Sequence, residues 1–223
     1  MIPAFDTGLA LIFDMDGVIV DSNQLHREAW TLFNRRYGVD TTPEMIERMY
    51  GRRNDDIVRD FFGDGLSSSE IAARGAAKEE LYRQMAAERI DKILVAGVRN
   101  FLEWYRTTPK GVASNAEIRN VDFILDQTGI RKYFQVVVDG QQVRRPKPDP
   151  EIYCKTADLL GFSPENCIVF EDSPSGVDAA KAAGMRIVGV STTYVDLPGS
   201  TITIDNFCSG DLTKWLSAQR RAA

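Results

Sequence analysis

The chain has 223 residues, 43% hydrophobic and 26% charged, which is enough to bury a core and too apolar for a disordered chain. Its 27 basic and 32 acidic residues leave a formal net charge of −5, arguing against a surface built to grip nucleic acid or anionic lipid but allowing a local anion pocket. Three scattered cysteines (Cys154, Cys167, Cys208), no signal-peptide pattern and no apolar run near the roughly 20 residues of a membrane span lead to the expectation of a reduced, cytoplasmic monomer.

Leu9 to Phe13 is a short apolar run ending in Asp14-Met15-Asp16-Gly17, the pattern of a buried strand entering a turn. A helix is predicted from an N-cap at Asp21 or Ser22 to Gly38, with Leu25, Ala29, Leu32, Phe33 and Tyr37 on its apolar face. Helical stretches follow over Pro43 to Met49, Asp55 to Phe62 and Ser69 to Ile90, with no convincing strand between them. After Gly97 the pattern alternates. Helices Val98 to Arg106, Glu117 to Thr128, Pro150 to Leu160 and Ser175 to Ala183 lead to strands Gly111 to Ser114, Phe134 to Asp139, Cys167 to Phe170 and Arg186 to Val190. A short strand, Thr201 to Ile204, and a helix from Asp211 complete the chain.

Such alternation with short links implies right-handed crossovers and an α/β fold, a Rossmann-like parallel sheet sandwiched by helices. The division expected is a core of residues 1–21 and 93–223, with an all-helical cap of residues 22–92 inserted after the first strand.

Asp14 and Asp16, two apart at a strand end, project to the same side of the chain. Ser114-Asn115 and Glu171-Asp172 end two other predicted strands, and Lys147 sits in a proline-rich loop after a third. In a parallel sheet these positions converge on one crevice. Each alone has an ordinary reading as a turn, a helix cap or a solvated loop residue; their joint placement points to function. Convergent carboxylates repel one another by about 4 kcal/mol per pair at about 4 Å and an effective dielectric near 20, so a hard cation such as Mg²⁺ is the expected occupant. Carboxylate attack on a phosphate ester is one chemistry that wants this set, with Mg²⁺, Lys147 and Ser114 offsetting the repulsion between anions and Asp16 placed to exchange a proton.

The sequence resembles the haloacid dehalogenase superfamily, in particular its phosphatase and β-phosphoglucomutase group with a helical cap. Asp14-Met15-Asp16-Gly17-Val18-Ile19 with Asp21-Ser22, then Ser114-Asn115, Lys147 within Arg145-Pro146-Lys147-Pro148-Asp149-Pro150, and Glu171-Asp172-Ser173 stand where that family has its four motifs. The resemblance implies that Asp14 is the nucleophile and Asp16 the acid/base. It makes the side chains of Asp14 and Asp172 and the carbonyl of Asp16 the Mg²⁺ ligands, with Glu171 in support, and gives Ser114 and Lys147 the phosphoryl group, Asn115 contacting substrate beside them. Metal-free dehalogenases lack a second aspartate at the position of Asp16, and phosphonate-cleaving relatives carry alanine there, which favours phosphate esters.

In the cap, His26 lies where sugar-phosphate members often carry a histidine, but it shares a helix face with Trp30, Phe33 and Tyr37, which equally suits a packed residue. Lys78 is on an apolar stripe with Ile71, Tyr82 and Met85; it either snorkels or reaches substrate as the mutases' cap lysine does. Asn54 stands where the mutases place a phosphate-binding arginine, leaving Arg52 or Arg53 as substitutes, and Ala96-Gly97 lacks the family's usual proline. The expected activity is a phosphatase of a small phosphorylated metabolite, with β-phosphoglucomutase as the alternative and a non-catalytic binding protein as a third reading. Linkers near Asp21-Ser22 and Ala96-Gly97 are expected to hinge the cap.

Overall fold

The computed structural model describes residues 8–219. A central strand, β1 (Ala10–Phe13), is followed by four helices: α1 (Asn23–Arg35), α2 (Pro43–Met49), α3 (Asn54–Phe62) and α4 (Ser68–Ala87). Then come α5 (Val98–Trp104), β2 (Lys110–Ala113), α6 (Ile118–Gln127), β3 (Val136–Val138), α7 (Glu151–Leu160), β4 (Cys167–Glu171), α8 (Pro174–Ala182), β5 (Arg186–Val190), β6 (Ile202–Ile204) and α9 (Gly210–Gln219). The strands form one parallel sheet in the order β3-β2-β1-β4-β5-β6. This is the α/β Rossmann-like fold expected.

Both faces of the sheet are covered, so the two-residue period of the strands divides the core rather than separating inside from outside. Leu11 and Phe13 of β1 join Ile168, Phe170, Val188 and Val190 on one face. Ala10 and Ile12 join Cys167, Val169 and Ile187 on the other. Phe13 stacks on Phe170 with ring centroids 4.6 Å apart and meets Phe134 edge-on at 5.8 Å, anchoring the strands whose ends carry the acidic motifs. The helical block has a core of its own around Trp30, Phe33, Met49, Val58, Phe61 and Ile71. Leu25 and Ala29 of α1 and Tyr82 and Ala86 of α4 instead belong to the core that abuts the sheet.

Two expectations for α1 change. Leu32 and Tyr37, assigned to its apolar face, are 44% and 47% exposed. The buried stripe runs through Trp30, Phe33 and Asn34, and Tyr37 lies beneath the Arg74 guanidinium, 4.3 Å from the ring centroid. Ser22 takes the N-cap position without capping, because its hydroxyl donates to Asp16 instead.

Lys110 is fully buried at the start of β2, where its ammonium donates to the carbonyl oxygens of Tyr105 and, at 2.7 Å, Thr108. Burial pushes its pKa from the ordinary 10.5 down to about 8. Between those values the unfolded chain holds a proton that the folded chain has released, so this residue makes stability rise with pH across the window. Lys110→Met is expected to remove that rise. In paired thermal melts, the wild type should gain on the order of 2 kcal/mol over the variant between about pH 7 and about pH 10.

Candidate active site

Strand β1 lies between β2 and β4, so the segments leaving the carboxyl ends of these three strands diverge around a crevice. The Asp14 amide still pairs with the Phe170 carbonyl at 3.0 Å and the Ser114 amide with that of Val138 at 3.1 Å, which fixes both residues to the sheet. Gly17, at φ +80°, turns the chain away; a Cβ there would run into the carboxylate of Asp172.

The Lys147 ammonium joins three strand ends. It donates to Asp14 Oδ1 at 2.6 Å, Glu171 Oε1 at 2.6 Å and the Ala113 carbonyl at 3.0 Å. Glu171 is saturated: the Tyr153 hydroxyl donates to Oε1 at 2.6 Å, and Oε2 accepts from the Asp172 amide, the Ser173 amide and the Ser173 hydroxyl at 3.0–3.2 Å. Asp172 accepts on Oδ2 from Asn23 at 3.2 Å and from the Thr193 hydroxyl. Asp14 and Asp172 thus each commit only one oxygen to hydrogen bonds among the described residues.

Carboxylate oxygens of Asp14, Glu171 and Asp172 lie within 4.8 Å of one another, all buried. Burial, reinforced by Glu171 and Asp16, pushes Asp14 up to about 7 in spite of Lys147. Burial and the charges of Glu171 and Asp14 push Asp172 up as well. One ammonium does not balance three buried carboxylates. The all-oxygen donor set with two uncommitted oxygens fits a hard divalent cation such as Mg²⁺. Because Glu171 is saturated by Lys147, Tyr153 and Ser173, it suits support better than direct ligation.

Asp16 borders the same cavity but takes its partners from the start of the helical block. It accepts from the Ser22 hydroxyl at 2.5 Å and lies 3.3 Å from His26 Nε2. Burial alone would raise its pKa, but His26 and Ser22 outweigh it and hold the carboxyl below its usual range. His26 Nδ1 is 2.8 Å from the Lys78 ammonium, which has only protons to give; Nδ1 therefore accepts, and Nε2 carries the proton directed at Asp16. The ring lies flat on Tyr82, with centroids 3.9 Å apart. Lys78 also pairs with Glu79 at 2.8 Å, and Glu79 accepts from Asn120 of α6 at 2.5 Å. Burial would raise Glu79, yet Lys78, His26 and Asn120 hold it at about 2.

All eleven residues singled out in the sequence border one cavity of about 290 Å³ between the sheet ends and the helical block. Their side chains do not all present themselves to it. The Arg52 guanidinium is turned to Asp60, at 2.9 Å, and to the carbonyls of Arg48 and Asp56. That of Arg53 donates to the carbonyls of Gly140 at 2.5 Å and Val143 at 2.7 Å. Both arginines expected as substitutes for the missing phosphate-binding arginine line the cavity, with their guanidinium groups engaged by protein oxygens. Lys78 does not snorkel, since it is 1% exposed and paired with Glu79 and His26. Asn115 bridges, donating to the Gly51 carbonyl at 2.7 Å and accepting from the Lys147 amide at 3.3 Å.

Sequence reasoning missed Asn23, Thr193 and Tyr153. Thr193 had a signal, because Ser191-Thr192-Thr193 directly follows β5 and the strand-end rule applies there too. Asn23 and Tyr153 had none beyond being polar residues on helices.

A family model described as "Hydrolase: haloacid dehalogenase-like hydrolase" matches residues 9–184. Fructose-1-phosphate phosphatase YqaB of Escherichia coli K12 is 31% identical over 180 residues, covering 81% of this chain and 95% of its own. A β-phosphoglucomutase of Bacillus subtilis is 29% identical over 188 residues, covering 81% and 82%. The crystal structure of a β-phosphoglucomutase from Clostridium difficile superposes with a TM-score of 0.85 at 25% identity, covering 96% of this chain and 97% of that one.

Proposed function

Because the chain belongs to the haloacid dehalogenase-like hydrolases, we propose that it is a Mg²⁺-dependent phosphatase hydrolysing the phosphomonoester of a small sugar-like metabolite through an aspartyl-phosphate on Asp14. Within that family it is a phosphatase or phosphomutase. The observation that carries hydrolysis over isomerisation is the disposition of cations around the cavity.

In the first step an oxygen of Asp14 attacks phosphorus, the bond from phosphorus to the leaving alcohol breaks, and the alcohol takes a proton from Asp16. Asp16 is ionised in the free protein; a phosphate dianion arriving beside it raises its affinity for the proton it then donates. In the second step water attacks phosphorus, Asp16 takes its proton, and the bond to Asp14 breaks to release inorganic phosphate. Lys147 neutralises Asp14 and the transferring oxygens together, and Ser114 holds the phosphoryl group from the neighbouring strand. Asp14 and Asp172, with the Asp16 carbonyl, would hold Mg²⁺, which when bound would supply positive charge that lets two anions meet.

A mutase must hold a second phosphate at the far wall of the cavity. Beyond the sheet ends the cavity is lined by Asn54 and Asp55, and by Glu117 and Asn120, which are both bonded to Arg83, Glu117 at 2.6 Å, while Arg52, Arg53 and Lys78 are each engaged with protein oxygens or His26. A neutral, hydroxyl-rich leaving group meets this wall with hydrogen bonds; a second phosphate meets acids and amides. The scattered free cysteines suit a reducing compartment such as the cytoplasm. No helix among the described residues is long and apolar enough to cross a membrane.

The test is phosphate release from an aryl phosphate and from a panel of sugar phosphates, with and without Mg²⁺. Release is expected with Mg²⁺ and should stop on chelation. Incubation with β-glucose 1-phosphate and a trace of the 1,6-bisphosphate decides the alternative: rapid formation of glucose 6-phosphate with little free phosphate would make the enzyme a mutase.

A further inference from the structure

Arg53 is the last residue before α3, in the helical block, yet its guanidinium reaches the core. Nη2 donates to the carbonyl oxygens of Gly140 at 2.5 Å and Val143 at 2.7 Å, and Nη1 to that of Arg144 at 3.4 Å. These three carbonyls belong to the segment between β3 and α7 that also carries Lys147. The same turn makes a second contact. Gly51, at φ +71°, directs its carbonyl to the Asn115 amide, and Asn115 in turn accepts from the backbone of Lys147. Gly140 is pressed so closely on the Asn115 backbone that a Cβ there would collide with it, so the segment Arg53 grips and the residue Gly51 grips form one packed unit.

The choice of partners matters. A guanidinium paired with a buried carboxylate leaves an uncompensated charge behind when the pair opens, a cost of several kcal/mol. Carbonyls leave only dipoles, which water satisfies at once. Three charge-assisted bonds to carbonyls therefore hold firmly and still release.

We infer that Arg53 is a positioning residue, a reversible latch that fastens the helical block to the Gly140–Arg144 carbonyls and so sets the loop bearing Lys147 against Asp14. Its catalytic readout rests on the reading of the site as a phosphatase; its structural readout does not. Arg53 touches no reacting atom, so its removal should be felt alike by every substrate.

The experiment compares wild type with Arg53→Ala and Arg53→Lys. Lysine keeps the charge but cannot span the carbonyls. Expected is a ten- to hundredfold loss of kcat/KM, of about the same size for a small aryl phosphate and for the best sugar phosphate of the panel, as befits lost charge-assisted bonds. Added guanidinium ion should restore part of the loss in Arg53→Ala but not in Arg53→Lys. In both variants without substrate, amide hydrogen exchange should quicken by about tenfold or more in peptides covering residues 139–147, while peptides from β1 and β4 stay as in wild type. A loss confined to the sugar phosphate, with aryl phosphate turnover and exchange unchanged, would make Arg53 a substrate contact and overturn the latch. If wild type turns over no phosphate ester, the phosphatase reading falls, and exchange alone decides the latch: unchanged protection over 139–147 in both variants would refute it.

Discussion

Asp14→Asn is expected to lower phosphate release by about 10⁴-fold or more, the scale on which enzymes lose turnover when the attacking group itself is removed. An amide is a poor nucleophile, and the substitution also takes away the charge that Lys147 meets at 2.6 Å. Asp16→Asn should cost a similar amount for a sugar phosphate by a different route, since Asp14 remains able to attack and only the proton transfer is lost. The two variants separate with a leaving group that needs no proton. With an aryl phosphate, Asp16→Asn should still phosphorylate Asp14 slowly and accumulate the acyl-phosphate, visible as added mass on the intact protein, whereas Asp14→Asn should show none. Turnover near wild type in Asp14→Asn would remove the nucleophile from this account.

Lys147→Met should cost about 10³-fold in kcat/KM, because the phosphoryl group and Asp14 then face each other with one cation fewer. It should also destabilise the fold, in a way that depends on pH. Lys147 bonds Asp14 and Glu171 together, and removing one member of a buried charge cluster costs about 3–5 kcal/mol when the others stay ionised. The carboxyls can escape that cost by protonating. Without Lys147, the folded pKa of Asp14 moves further above the ordinary carboxylate range than burial already pushes it, so the folded variant binds more protons than the unfolded chain and loses stability as pH rises. Folded wild-type Asp14 keeps its proton up to about pH 7, so in metal-free protein the deficit in melting temperature relative to wild type should grow from about pH 7 to about pH 9, and added Mg²⁺ should narrow it. A deficit that stays flat or shrinks with pH would show that Lys147 is not the counter-charge of the cluster.

The architecture was legible in the sequence because strands buried on both faces read as short continuous apolar runs, and because each functional carboxylate or ammonium follows such a run or its loop at once. Asp14, Ser114, Lys147, Glu171 and Asp172 could be placed on one crevice by topology alone. What escaped is what only packing decides. Trp30, His26 and Tyr37 share an approximate helical stripe, yet α1 is rotated so that Trp30 is buried and Tyr37 is not. Arg52 and Arg53 are adjacent, similar and equally suited on paper to a phosphate; one is engaged by Asp60 eight residues away and the other by carbonyls more than eighty residues away. Lys78 read as an anomaly on an apolar face because its partners, Glu79 beside it and His26 on another helix, satisfy it only once α1 and α4 are packed together.

The position of β1 at the middle of the sheet has a consequence for the chain as it is being made. Leu11 pairs with Lys110 and Ala10 with Cys167, so β1 leaves the ribosome about 100 residues ahead of one neighbour and about 150 ahead of the other. At a synthesis rate of about 5–20 residues per second, it waits on the order of ten seconds as an apolar strand with both edges open. The helices translated in the meantime close a core of their own from contacts near in sequence, which form early. The nascent protein is therefore expected to pass through a half-built state, a helical block closed on its own core but still bare on the face of Leu25, Ala29, Tyr82 and Ala86 and tethered to an open-edged strand, and a chain broken off before β4 keeps one edge of β1 uncovered.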